Sequence, residues 1–141
     1  MSTNIINIIA AKLSKYPEIK VVTTTNHSIE IDSHNDTGLP ILVEQGEAEN
    51  TIYLKAFHLH FEKNEDENES LLDLIYCALK GLARVKEISR NGKIYKSILQ
   101  IKNEKGEWED SGATVLLSVN IKSIFFNKTR IKYFQNSFLI P

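Results

Sequence analysis

His58 and His60 stand with only Leu59 between them, so on an extended chain both imidazoles project from the same side. That spacing can present two nitrogens to one metal ion. A catalytic zinc site typically takes three protein ligands, however, and no third His, Cys or acid stands at a recognisable spacing from the pair. His27 and His34 fall in stretches that read as loops. The single cysteine, Cys77, excludes an intrachain disulfide, and its place in an apolar helical stretch points to a buried, inert thiol. The chain has no nucleophile elbow, phosphate loop, His/Cys metal framework or glycine-rich dinucleotide turn, so catalysis would rest on scattered carboxylates and the histidine pair. The expectation is a protein that is not an enzyme, with no catalytic residue, no cofactor and no metal.

The charged residues are more informative. Net charge is only -1, but nine acids between Glu44 and Asp73 face two lysines, giving -7. Between Lys80 and Lys105 eight bases face two acids, giving +6, and the last twenty-one residues add four bases and no acid. Each run has an ordinary reading as a solvated face. Together, two surfaces of opposite sign on one molecule favour head-to-tail contact between copies, which closes into a ring when the rotation permits. The densest acidic segment is Glu62, Glu65, Asp66, Glu67 and Glu69. The tail mixes Phe125, Phe126, Tyr133, Phe134 and Phe138 with Lys128, Arg130 and Lys132. Such a mixture can stack on nucleic acid, or form an extra strand or an arm packed on its own domain or a neighbour.

These residues need a scaffold, and 141 residues with 42% hydrophobic and 25% charged content suit one globular core. The apolar runs fall short of the ~20 residues that cross a bilayer, and the amino terminus lacks a basic start and a small-residue cleavage site, so a cytoplasmic protein without membrane contact is expected. Ile5 to Leu13 has helical spacing after Ser2-Thr3-Asn4, a capping sequence, and Tyr16-Pro17 ends it. Val21–Thr25 and Ser28–Asp32 read as a hairpin around Asn26-His27, with pairing of the second run elsewhere an equal alternative, and Pro40–Glu44 reads as a short strand.

Thr51–Glu62 reads as the longest strand. Its apolar set changes face near Ala56, which calls for a bulge, an edge beneath another subunit, or cover on both sides. Leu71, Leu74, Ile75, Ala78, Leu79, Leu82 and Val85 form a helical stripe. Gly81 inside it implies close backbone approach or the end of a first helical segment. Arg90-Asn91-Gly92 marks a turn before the strand Ile94–Lys102, and Ala113–Ile121 alternates as a half-buried strand that completes a hairpin. The sum is an α+β fold: an antiparallel or mixed β-sheet packed by an amino-terminal helix and one central helix. Residues 1–124 form the domain, and residues 125–141 form a carboxy-terminal extension or arm.

The succession of helix, antiparallel strands, a helix carrying Leu71-Leu72-Asp73 and Ala78-Leu79-Lys80-Gly81, and a final hairpin with Gly106-Glu107-Trp108 resembles the tail terminator or tail completion proteins of tailed bacteriophages and related contractile particles. The likeness runs from Ile5 to Ile124. It implies an α+β subunit that assembles with its own copies into a ring, commonly a hexamer, on the head-proximal end of the tail tube. That ring would stop tube growth and join the tube to the neck proteins in a virion or prophage-encoded particle. The tail beyond Ile124 and the paired histidines depart from that pattern. Acids facing a central channel would repel phosphates and let DNA pass without specific binding. Glu62, Glu65, Asp66, Glu67 and Glu69 are the expected channel or tube-facing residues, and Phe125, Phe126 and Arg130 the expected contact residues of the tail. A small immunity or antitoxin-type protein, using its acidic surface to occupy a basic toxin site, is the alternative.

Overall fold

In the computed structural model, described for residues 4–33, 35–115 and 129–138, two helices cover two antiparallel sheets, an α+β fold. The first helix, α1 (Ile5–Leu13), is started by Asn4, whose side chain accepts hydrogen bonds from the Ile6 and Asn7 N–H groups. That cap satisfies donors a helix leaves orphaned, and Ile5, Ile6, Ile9 and Leu13 then turn one buried stripe inward. Strands β1 (Val21–Thr24), β2 (Ser28–Ile31), β3 (Ile41–Gln45), β4 (Glu49–Leu54) and β5 (Phe57–Glu62) form a meander in that order. At the first hairpin the Thr25 hydroxyl accepts from the His27 and Ser28 N–H groups, which fixes the reversal.

The expected long strand over residues 51–62 is two strands. The chain reverses at Lys55-Ala56, with Lys55 in the left-handed region at φ 56°, and Leu54 pairs with Phe57. Directly opposed residues share a face, so Ile52, Leu54, Phe57 and Phe61 all point to the core. The change of face is therefore a change of direction, with no bulge needed.

Helix α2 (Glu65–Lys80) begins at the Asn64 cap, whose side-chain oxygen accepts from the Glu67 N–H at 2.8 Å. Glu65, Asp66 and Glu67 occupy its first turn, where the helix dipole favours negative charge. Much of the acid-rich segment is thus helical, Glu62 closes β5, and only Lys63 and Asn64 connect the two. The helix stops at Gly81, which takes φ 85° and donates back to the Cys77 carbonyl. Leu82 and Val85, part of the expected helical stripe, lie beyond this stop. Val85 belongs to strand β6 (Ala83–Arg90), where it is buried.

The second sheet runs β8-β7-β6-β9, with β7 (Lys93–Lys102), β8 (Trp108–Val115) and β9 (Thr129–Phe134). Asn91 and Gly92, both at positive φ, make the two-residue turn between β6 and β7. The hairpin strand begins at Trp108, earlier than expected, and residues 116–121 of that expectation lie outside the described residues, as do His34, Phe125 and Phe126. The tail from Thr129 pairs with β6 along its length. Beyond it Asn136 hydrogen-bonds both backbone groups of Leu39, and the Phe138 N–H donates to the Leu79 carbonyl. One continuous core joins α1, α2, both sheets, Phe134 and Phe138.

Candidate functional site

Antiparallel pairing puts His58 opposite Tyr53 and His60 opposite Thr51, on the outer side of β4 and β5. His60 Nδ1 lies 3.0 Å from Glu49 Oε1 and 2.9 Å from the Thr51 hydroxyl. The two imidazole centroids are 5.4 Å apart, edge to face. Both rings are exposed, and among the described residues no group of three His, Cys, Asp or Glu side chains is disposed to hold a metal ion. The pair amounts to an imidazole–carboxylate contact on an open sheet face. His27 sits exposed in the β1–β2 turn, well apart in sequence and strand order.

The expected acidic residues divide into two places. Glu62 pairs across from Glu49 at the end of the β4–β5 hairpin, and the Asn64 N–H donates to the Glu62 carbonyl just before α2. A side-chain contact of 3.5 Å from Asn50 to Asn68 holds the first turns of α2 against this end. Exposed Glu47, Glu49, Glu62, Glu65 and Asp66 therefore gather at one end of the domain, with Glu67 half-buried beside them. Glu69 departs from the group. It lines a groove of ≈ 440 Å³ between α1 and α2, together with Lys12, Lys15, Tyr16, Asp73 and Tyr76. Cys77 is half-buried, and burial, with the Asp73 carboxylate as the lesser cause, pushes its thiol pKa up. A thiol held protonated in this way is a poor nucleophile.

The strongest constellation lies on the second sheet. Ala83, Val85 and Leu99 point into the core, so Arg84 and Lys86 of β6, with Ile98 and Gln100 of β7, take the opposite face. Trp108 and Asp110 of β8, and Ile131 and Tyr133 of β9, join them by register. The Arg84 guanidinium is 4.1 Å from the Trp108 ring centroid and 4.1 Å from that of Tyr133. Its Nε donates to Gln100 Oε1 at 2.8 Å, and Gln100 Nε2 donates to Asp110 Oδ1 at 2.9 Å. A planar cation is thus stacked between aromatic rings and tied at one edge through a row that crosses all four strands. Lys86, Lys96 and Lys102 share this face, making it basic, and Val115, Ile131 and Tyr133 expose 62%, 49% and 43% of their surface on it.

Arg130, the described member of the expected tail contacts, is exposed on β9 opposite Ser89. Arg84, Trp108 and Gln100 were not expected as site residues. Their signal was the period-two alternation of Ala83, Val85 and Glu87 with Arg84, Lys86 and Ile88, hidden because Leu82 and Val85 also continue the helical spacing of α2. No protein-family model, curated protein or solved structure matches this chain.

Proposed function

We propose that the chain is a non-catalytic structural part of a phage tail or phage-tail-like particle, completing the tail tube as a ring of its own copies and joining it to the neck. The observation that carries the self-assembly is the separation of charge in space. One end of the domain gathers Glu47, Glu49, Glu62, Glu65 and Asp66, while the outer face of the second sheet gathers Arg84, Lys86, Lys96 and Lys102. Two different surfaces that complement each other make a heterologous contact, which propagates head to tail and closes when the rotation allows. Complementary potentials steer and orient the approach, and the exposed Val115, Ile131 and Tyr133 supply apolar area to exclude water from the contact. The tail assignment rests on the order of elements, with Leu71-Leu72-Asp73 in the second helix and Gly106-Glu107-Trp108 leading into the β8 strand. Acids left free in the ring would line the channel and repel passing DNA.

Negative-stain microscopy of the purified chain, alone and with tail tubes, tests this reading: rings of uniform diameter, seated at tube ends, are expected. Tubes whose ends and growth are unaffected by the chain would count against it. The clustered acids also suit an immunity or antitoxin-type protein, and a tight one-to-one complex with a basic toxin would favour that second reading.

A further inference from the structure

The geometry points to Arg84 as a fork that receives a carboxylate from a second copy of the chain, supplied by Glu65 or Asp66 in the first turn of α2; the assignment rests on the head-to-tail reading above. Three observations converge. The guanidinium is clamped between Trp108 and Tyr133, each centroid 4.1 Å away, so its plane is set before any ligand arrives. Its Nε is occupied by Gln100, and Gln100 is in turn held by Asp110. The end-on edge, Nη1 and Nη2, makes no hydrogen bond among the described residues and matches the two oxygens of a carboxylate. Such a pre-set side chain loses little conformational entropy on binding.

The ligand follows from charge and surroundings. Trp108 and Tyr133 each give one ring face to Arg84, which removes those faces from stacking on nucleobases. The Asp110 carboxylate in the same network disfavours a polyanionic backbone, whereas Ile131 and Val115 nearby suit a protein surface. Within the acidic cluster at the end of the domain, the exposed acids carried on α2 are Glu65 and Asp66.

The test measures self-association of the full chain by mass photometry and light scattering over a concentration series, with circular dichroism confirming the fold of each variant. Arg84→Lys keeps the charge but loses the fork and the stacking, and it should weaken self-association about thirtyfold, the scale of an arginine hot spot. Reversal of the acids by Glu65→Arg with Asp66→Arg should do the same. Mixing that variant with Arg84→Glu should restore mixed oligomers from two partners that fail alone. If Arg84→Glu does not fold, Arg84→Lys and the acid reversal still decide, because both acids are exposed. A wild-type chain that self-associates, with neither variant altering it, overturns the inference while leaving the head-to-tail reading in place. A wild-type chain that never self-associates overturns both. Salt-sensitive binding of a fluorescein-labelled single-stranded oligonucleotide, abolished by Arg84→Lys, would assign the face to nucleic acid instead.

Discussion

Replacing Asn136 should unfasten the tail from the first sheet at a cost that can be worked from two hydrogen bonds. Asn136 Oδ1 accepts from the Leu39 N–H at 2.8 Å, and its Nδ2 donates to the Leu39 carbonyl at 2.7 Å. Asn136 is 2% exposed and Leu39 fully buried, so water cannot replace either bond. In Asn136→Ala both backbone groups of Leu39 are left unpaired, at about 1–3 kcal/mol each and roughly 2–6 kcal/mol together. A domain of this size has a total stability of about 5–15 kcal/mol, so the loss is a large share of it. Urea denaturation followed by circular dichroism should show a lower midpoint with little change in slope. Asn136→Leu separates the causes, because it fills the volume and restores neither bond. The two variants should fall together. A loss below about 1 kcal/mol in both, or recovery in Asn136→Leu, would show that the paired bonds are not what holds the tail.

Two glycines make a matched comparison. Gly92 takes φ 76° in open space, so Gly92→Ala should carry only left-handed strain, about 1 kcal/mol. At Gly81 a Cβ would press into the Asn136 carbonyl oxygen as well, so Gly81→Ala should cost about 2–4 kcal/mol and lower the thermal midpoint much further. Equal midpoints for the two variants would remove the packing role of Gly81. Cys77 should alkylate more slowly in the folded chain than in urea-unfolded chain at mildly alkaline pH, since burial and then Asp73 raise its pKa. The sign of the linkage follows: the folded state holds this proton more tightly. Its contribution to stability is full below the ordinary thiol pKa and is lost as pH rises through the raised folded value. Equal iodoacetamide rates for folded and unfolded chain would contradict that.

What could be read from residues alone depended on whether the cue was local. The α1 helix is set by a capping asparagine and a dense apolar stripe, and the Asn91-Gly92 turn by residues that tolerate positive φ, so both are legible. The Lys55-Ala56 reversal has no such mark: neither residue is Gly, Asn, Asp or Pro, and only the core's demand that Leu54 and Phe57 face the same way places the turn there. β6 was concealed by coincidence, because Leu79, Leu82 and Val85 keep a helical spacing straight through the point where Gly81 stops the helix. With β6 missed, Arg84 had no strand to alternate on. Its stacking between residues of β8 and β9 is a tertiary fact that no spacing announces. The charge segregation was legible because it needs only counting, whereas the departure of Glu69 from the other acids depends on which face of α2 it occupies. Asn136 and Leu39 are ninety-seven positions apart, and nothing local links them.

The proposed self-association joins surfaces of opposite charge. Light scattering coupled to size exclusion, across protein concentration at about 0.1 M and about 1 M salt, addresses it most directly, since exposed charges interact over a Debye length of about 10 Å in the first and about 3 Å in the second. The expected result is one closed oligomer of fixed mass at low salt that gives way to smaller species at high salt. A monomer mass at every concentration in both buffers would contradict it.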